Sequence, residues 1–225
     1  MRGTNPIRKP ETGDGTSLQV QSVFSTLQGE GIYAGFPAIF IRLGGCNLAC
    51  DFCDTEFESF TTESTDSLIK RVELLAHNEN GKRIRNLIVI TGGEPLRQPI
   101  EYLCKNLIEQ GFKVQIETNG TLYRSLPNEV DIVCSPKNAG HGYHAIRPDL
   151  LARVNALKFI VSAHHTLYQS VAEVGQSLHN TPVYVQPMDE YDAEKNRANV
   201  TLAKKLALEY GYRLSLQTHK IIGVE

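Results

Sequence analysis

Three cysteines lie close together in a short segment that follows an apolar run. Cys46, Cys50 and Cys53 have the spacing C-x3-C-x2-C. Three thiolates on one loop can bind three irons of a cubane iron–sulfur cluster, and the fourth iron then stays open to a small molecule. A zinc site is the alternative, but structural zinc normally has four protein ligands, so a further ligand would have to come from elsewhere in the chain. Cys104 and Cys134 lie in apolar segments and are predicted to be core residues.

The elements that must position this loop follow from the hydrophobic pattern. Short apolar runs rich in β-branched residues alternate with stretches of helical period, which predicts an α/β fold with a largely parallel sheet. Strands are predicted at residues 18–24, 38–43, 86–90, 113–117, 131–134, 156–161, 183–186 and 213–216. Helices are predicted at residues 67–77, 100–110, 166–178 and 193–210.

Polar or glycine-containing segments follow most of the predicted strands. In α/β sheets and barrels, ligands bind where the parallel strands end. The pattern therefore favours one shared site at this edge of the sheet. The segments are GGCNLAC, TGGEP, TNG, SPK, SAHH, PMD and QTHK.

Composition limits the class of protein. The 225 residues are 41% hydrophobic and 21% charged, with a formal net charge of -2, which excludes a disordered, collagenous or strongly basic chain and argues against direct nucleic-acid binding. No apolar run reaches the roughly 18 residues of a spanning helix, and the first residues lack a signal-peptide pattern, so no membrane association and a cytoplasmic location are expected. The odd number of cysteines suits a reduced compartment. Residues 1–17 are predicted to be a flexible N-terminal extension, and residues 18–225 a single domain.

Two motifs make a family resemblance visible. The segment CNLACDFC, with Phe52 directly before Cys53, resembles the cluster loop of the radical S-adenosylmethionine (SAM) family, and GGEP at residues 92–95 resembles its second motif. The resemblance implies an incomplete (β/α) barrel, a 4Fe-4S cluster, and SAM bound to the open iron. In that family one electron from the cluster cleaves SAM and gives a 5'-deoxyadenosyl radical.

Further motifs, which span almost the whole chain beyond residue 20, narrow the resemblance to the 7-carboxy-7-deazaguanine synthase family of the queuosine pathway. This resemblance implies a lyase that contracts the ring of 6-carboxy-5,6,7,8-tetrahydropterin with loss of ammonia. It also implies Mg²⁺, regeneration of SAM, a homodimer, and an electron donor such as flavodoxin. The motifs are STLQGEG at 25–31, FPAIFIR at 36–42, CDT at 53–55, TGGEP at 91–95, ETNG at 117–120, SPK at 135–137, QPMD at 186–189 and QTHK at 217–220.

The resemblance assigns residues to the substrate. A pterin presents a flat edge of donors and acceptors plus a carboxylate, so its site needs hydrogen-bonding groups and a cation. Gln28 would read the edge, and Arg42 would bind the carboxylate. Taken alone, Arg42 reads as a strand residue with an exposed head, and Gln28 as part of a polar turn between glycines. The predicted substrate-binding residues are Leu27, Gln28, Gly29, Glu30, Arg42, Thr91, His219 and Glu225.

It also assigns residues to SAM and to the metals. Cys46, Cys50 and Cys53 would bind the cluster, and the Thr55 hydroxyl would contact Mg²⁺, although a threonine there is also a common turn cap. No proton-transfer residue is assigned, because hydrogen abstraction by a radical needs no general base. The predicted SAM-binding residues are Phe52, Cys53, Asp54, Gly93, Glu94, Ser135, Pro136, Lys137, Gln186, Pro187, Met188 and Asp189.

Two other functions remain open from the sequence. One is a radical SAM activase that makes a glycyl radical on a partner protein, but it would favour a groove for a protein loop over a small-acid site with Arg42. The other is a non-catalytic iron–sulfur or zinc module, in which GGEP and SPK would have no task. Metal analysis separates this last alternative, since zinc without iron would exclude the cluster.

Overall fold

The computed structural model describes residues 5–50, 53 and 55–224. Within these residues one sheet of nine strands runs in the order β3-β1-β2-β4-β5-β6-β7-β8-β9. The strands are β1 Ser17–Leu27, β2 Pro37–Leu43, β3 Thr61–Ser64, β4 Leu87–Gly92, β5 Lys113–Thr118, β6 Asp131–Cys134, β7 Ala156–Val161, β8 Val183–Pro187 and β9 Arg213–Leu214.

The sheet is parallel from β2 onward, and β1 pairs antiparallel with both β2 and β3. The parallel strands read as continuous apolar runs because both faces of the sheet are covered; Leu87, Ile88, Val89 and Ile90 of β4 are all buried. The order does not close on itself, since β3 and β9 are the two edges. The predicted α/β fold, an incomplete (β/α) barrel with a largely parallel sheet, is confirmed.

The longer helices α1, α2 and α5 bury one side on the sheet. In α1, Leu68, Ile69, Val72 and Ala76 fall at helical spacing and are buried, and the Ser64 hydroxyl caps the helix by accepting from the Ser67 amide. None of the helices in the described residues is long and apolar enough to cross a membrane. The helices are α1 Thr65–Ala76, α2 Glu101–Glu109, α3 Pro148–Leu151, α4 Gln176–His179, α5 Ala193–Tyr210 and α6 Thr218–Ile222.

The predicted helix at 166–178 is wrong. Only a 3-10 turn at Thr166–Tyr168 and the single turn α4 form there. Gly175 has φ +111°, a left-handed conformation that interrupts helical backbone, and the Gln176 side chain bonds to backbone groups of Ala172 and Val174. These local bonds compete with the helical ones.

Three short elements were not predicted. Strand β3 is an edge strand made of TTES, which has no apolar alternation to reveal it. Helices α3 and α6 are too short to show a hydrophobic period. The last strand is also shorter than predicted, since β9 covers two residues only.

Residues 5–16 lie against the barrel. Ile7 pairs in parallel with Cys46, the Glu11 amide donates to the Arg97 carbonyl at 2.7 Å, and the Thr65 hydroxyl donates to the Gly15 carbonyl at 2.5 Å. The described part of the predicted flexible extension is therefore hydrogen-bonded to the body of the protein. The single-domain assignment stays a prediction.

Candidate active site

A cavity of about 440 Å³ opens at the carboxyl ends of the parallel strands. Along β2 and β7 the side chains that line it alternate with core residues, as the two-residue period of a strand requires. On β7, Lys158 and Ile160 line the cavity, whereas Leu157 and Phe159 belong to the hydrophobic core. Arg42 on β2 reaches the same cavity. Most of the predicted polar segments therefore open onto one cavity, whereas the SAHH segment at 162–165 does not line it.

The cysteine loop and the GGEP turn pack backbone against backbone. The Glu94 amide donates to the Gly45 carbonyl at 3.0 Å, and the Gly93 amide donates to the Leu43 carbonyl at 3.2 Å. A Cβ atom on Gly93 would lie 2.1 Å from the Gly45 carbonyl oxygen. Gly45 itself has φ +75°. The paired glycines thus allow an approach that side chains would block.

The three cysteines of the loop all line the cavity. Burial raises the pKa of Cys46 to about 12, so in the absence of a cation this thiol stays protonated. The Leu48 amide points at the Cys46 sulfur, 3.4 Å away, and the Asn119 side-chain amide lies 4.0 Å from it.

A cluster with a separate iron for each thiolate fits this donor set. No three His, Cys, Asp or Glu side chains of the described chain converge on a point that could hold a single ion. In a cubane cluster each thiolate binds a different iron, so the soft sulfur donors need only surround the same space.

Glu94 lies behind the cavity wall and ties the GGEP turn to β5. Its carboxylate accepts from the Thr118 hydroxyl at 2.7 Å, the Asn119 amide at 2.7 Å and the Leu96 amide at 3.0 Å. Burial raises the pKa of Glu94, although these hydrogen bonds act in the opposite direction. The geometry gives this carboxylate a structural task that the sequence did not indicate.

Arg42 carries a cation in the cavity wall. Its guanidinium lies 5.7 Å from the centre of the Phe24 ring, which also lines the cavity. Among the described residues, Arg42 forms no ion pair, in contrast to Lys158. A planar cation of this kind can hold a ligand carboxylate in a bidentate pair.

Lys158 is the centre of a buried ion network that sequence reasoning missed. Its Nζ donates to Glu117 at 2.8 Å and to Glu30, and the lysine is only 4% exposed. Burial acts to lower the pKa of Lys158, but the two carboxylates raise it. Burial also acts to raise the pKa of Glu30, yet Lys158 and the Gln217 amide hold it at about 2. The one signal in the sequence was a lysine inside the apolar run ALKFIV.

Helix α6 closes one side of the cavity. The Thr218 amide and hydroxyl both donate to the Gly29 carbonyl, at 3.1 and 3.0 Å. A Cβ on Gly29 would lie 2.0 Å from His219 Nδ1, so the histidine ring packs directly on this glycine. Lys220 bonds to Asp189 at 2.8 Å. These contacts connect the chain's last described helix to the loops after β1 and β8.

Comparison with known proteins identifies the family. Residues 40–170 match the model of the Radical SAM superfamily. A Rickettsia prowazekii protein named 7-carboxy-7-deazaguanine synthase is 59% identical over all of this chain and 96% of its own length, and a Rhodospirillum rubrum protein of the same name is 40% identical over the whole of both. This chain belongs to the 7-carboxy-7-deazaguanine synthase family. The crystal structure of QueE from Escherichia coli matches with a TM-score of 0.71 and 25% identity, covering 89% of this chain and 93% of that one.

Most residues assigned by resemblance to this family line the cavity at the strand ends. Glu94 is buried and does not line the cavity, and Pro136 lies outside the wall as well. Phe52, Asp54 and Glu225 lie outside the described residues. The predicted residues that line the cavity are Leu27, Gln28, Gly29, Glu30, Arg42, Cys46, Cys50, Cys53, Thr55, Thr91, Gly93, Ser135, Lys137, Gln186, Pro187, Met188, Asp189 and His219.

Proposed function

We propose that this chain is a radical SAM lyase that converts 6-carboxy-5,6,7,8-tetrahydropterin to 7-carboxy-7-deazaguanine with loss of ammonia. One observation carries the proposal: in this member of the family, the cysteine loop, the cation of Arg42 and the polar residues of the QGE segment line the same cavity. A small acid with a hydrogen-bonding edge suits that set of groups.

Cys46, Cys50 and Cys53 would hold a 4Fe-4S cluster, and the residues around Gly93, Ser135–Lys137 and Gln186–Asp189 would hold SAM. When bound there, the cluster and SAM would supply the radical chemistry that removes a hydrogen atom from the substrate. Lys137 bonds to the Ser135 hydroxyl at 2.7 Å, so the two present an ammonium and a hydroxyl side by side. The protein's own contribution is to orient the reactants and exclude water.

The substrate would lie between the loop after β1 and β2. Gln28 is 1% exposed; its amide donates to Glu117 at 3.0 Å and its side-chain oxygen accepts from the Glu30 amide at 3.1 Å. These bonds fix the plane of the Gln28 side chain beside Gly29. Arg42 then offers the charge for the carboxylate of a pterin.

We further propose that Mg²⁺ is required and that Thr55 contacts it. Mg²⁺ prefers octahedral oxygen coordination and keeps its waters, so one protein oxygen is enough when the substrate supplies others. Family membership also supports a homodimer, an electron donor such as flavodoxin and a cytoplasmic location, with no direct role for nucleic acid.

The test is anaerobic reconstitution with iron and sulfide, followed by reduction with SAM, Mg²⁺ and 6-carboxytetrahydropterin. Mass spectrometry is expected to show 7-carboxy-7-deazaguanine. Serine at Cys46, Cys50 or Cys53 should abolish both cluster and product. The matched control is Cys104→Ala, since Cys104 is buried in α2 away from the cavity and should keep both.

Each alternative function has its own result in this experiment. Cleavage of SAM without the expected product would keep the radical chemistry and redirect the search to another substrate. An intact cluster without SAM cleavage would favour a non-catalytic module. Zinc without iron would exclude the cluster altogether.

A further inference from the structure

The N-terminal segment of residues 5–16 reaches the cysteine loop, although none of its residues belongs to the motifs. Asn5 lines the cavity. Its side-chain amide donates to the Thr55 carbonyl at 3.1 Å and lies 4.0 Å from the Cys53 sulfur. The amide nitrogen carries two hydrogens, so it can serve both acceptors.

The backbone of the same segment also bonds to the cysteine loop, at Arg8. The Arg8 amide donates to the Cys46 carbonyl at 2.7 Å. The Arg8 guanidinium bonds to the Glu58 carboxylate through Nε at 2.8 Å and lies 5.0 Å from the centre of the Phe60 ring. The segment therefore holds the cysteine loop near its first cysteine and just beyond its last.

Glu11 anchors the segment to the GGEP turn. Its carboxylate forms an ion pair at 2.8 Å with Arg97, a residue that is 1% exposed. The Glu11 carbonyl accepts from Arg124 at 2.6 Å, and Gln19 donates to the Glu11 carboxylate at 2.8 Å. Arg97 also donates to the Gly44 carbonyl at 2.9 Å. One buried arginine thus joins the segment to the start of the cysteine loop.

We propose that Asn5 is a positioning residue of the cluster site and raises the reduction potential of the cluster through Cys53. An amide hydrogen directed at a ligand sulfur draws electron density from it and so favours the reduced cluster. The Glu11–Arg97 ion pair keeps Asn5 in place. This inference rests on the proposed function, because it requires a cluster on the three cysteines.

The experiment measures the midpoint potential of the reconstituted full-length protein by redox titration followed by electron paramagnetic resonance. Asn5→Ala and Asn5→Asp are the two variants, since aspartate has nearly the same shape but no amide hydrogen. Both should keep their iron and shift the potential to more negative values. A tenfold fall in the equilibrium constant for reduction is expected, equivalent to about 59 mV for one electron. The control is Ile7→Thr, an exposed neighbour that should shift nothing.

A second comparison tests the anchor. Glu11→Gln should also lower the potential, and adding Asn5→Ala to it should cause little further shift, because Asn5 is already displaced. Fully additive shifts would refute the role given to the ion pair.

The proposal is overturned if Asn5→Ala and Asn5→Asp hold a cluster at the wild-type potential. It is also overturned if both variants lose their iron, because Asn5 would then only support the fold of the loop. A wild-type protein that takes up no cluster would refute the proposed function as well, so the two failures are distinguishable.

Discussion

The Lys158 Nζ lies 2.8 Å from the Glu117 carboxylate, although the two residues stand on β7 and β5 with β6 between them. The curvature of the sheet brings their side chains together inside the barrel. Glu30, from the loop after β1, completes the pair to a network of two carboxylates and one ammonium. The cavity, whose wall also carries Arg42, Lys137 and Asp189, thus has a fixed network of charges on the side of β5 and β7.

The composition of this network predicts that substitutions of Lys158 and Glu30 lower the free energy of unfolding by unequal amounts. Lys158→Met leaves two largely buried carboxylates without a cation and should lower the free energy of unfolding by about 3–5 kcal/mol, whereas Glu30→Gln leaves a Lys158–Glu117 pair of zero net charge and should cost less than about 2 kcal/mol. Urea unfolding of the metal-free protein measures both. Lys113→Met is the matched control, because Lys113 pairs with Asp131 at the surface and its loss should cost under about 1 kcal/mol. Equal costs at 158 and 30 would contradict the prediction.

The position of Arg42 predicts that its loss weakens binding of the carboxylated pterin and leaves the cluster and SAM cleavage unchanged. Arg42→Ala should raise KM for the carboxylated pterin roughly 30- to 150-fold, as loss of about 2–3 kcal/mol from a charge-assisted pair implies. Cluster content and SAM cleavage without substrate should stay at the wild-type level. Steady-state kinetics with iron and sulfide analysis measures these quantities. Arg42→Lys keeps the charge but loses the planar guanidinium that can form two parallel hydrogen bonds. Its KM should therefore lie between those of the wild type and of Arg42→Ala. Loss of the cluster in Arg42→Ala would show that the residue supports the loop instead.

Glu94 predicts a defect transmitted through the GGEP turn. Glu94→Gln replaces an acceptor oxygen by an amide that faces N–H or O–H donors, and leaving a buried donor unsatisfied costs about 1–3 kcal/mol. We expect a lower free energy of unfolding and weaker SAM binding by equilibrium dialysis of the reconstituted protein. Thr118→Val removes one of the three donors without creating a clash and should have a smaller effect on both. Normal stability together with lost SAM binding would instead indicate a direct contact to SAM.

Pattern and motif predicted most of the parallel sheet and most of the residues around the cavity. The ion network of Lys158 was not predicted, because a single lysine in an apolar strand does not indicate which carboxylates face it. Glu30 and Glu117 are 128 and 41 residues away in sequence. Only the order of strands in the sheet brings them together. The short edge strand β3 escaped for a different reason, since TTES has neither apolar alternation nor a buried face.

The contacts of the segment before β1 were not indicated by the sequence either. Gly, Pro and charged residues suggested a flexible extension. In the structure, however, Glu11 forms an ion pair with the buried Arg97, and the Asn5 side-chain amide contacts the Cys53 sulfur of the cysteine loop. Such long-range polar contacts have no periodicity and therefore leave no local signal. Glu94 illustrates the same limit inside a motif, because GGEP indicates the turn but not that its carboxylate faces β5.

Asp189 predicts how stability changes in acid. Burial opposes ionisation, but the hydrogen bonds from Lys220, the Tyr191 amide and Asn196 lower its pKa from 3.8 to about 2. The folded protein therefore binds fewer protons than the unfolded chain between these values, so this carboxylate's contribution is full above the unfolded pKa and is lost as the pH falls toward 2.

Asp189→Asn should accordingly lower the free energy of unfolding by about 2 kcal/mol at pH 5 to 7, and the difference from the wild type should shrink as the pH falls below about 4. Urea unfolding of the metal-free protein at a series of pH values measures the difference. Lys220→Met removes one of the three donors to Asp189. In this variant the free energy of unfolding should therefore depend less steeply on pH in this window than in the wild type. The prediction fails if the difference in the free energy of unfolding between wild type and Asp189→Asn stays constant from pH 7 to pH 3. The contacts of Asp189 would then contribute no charge-dependent stability.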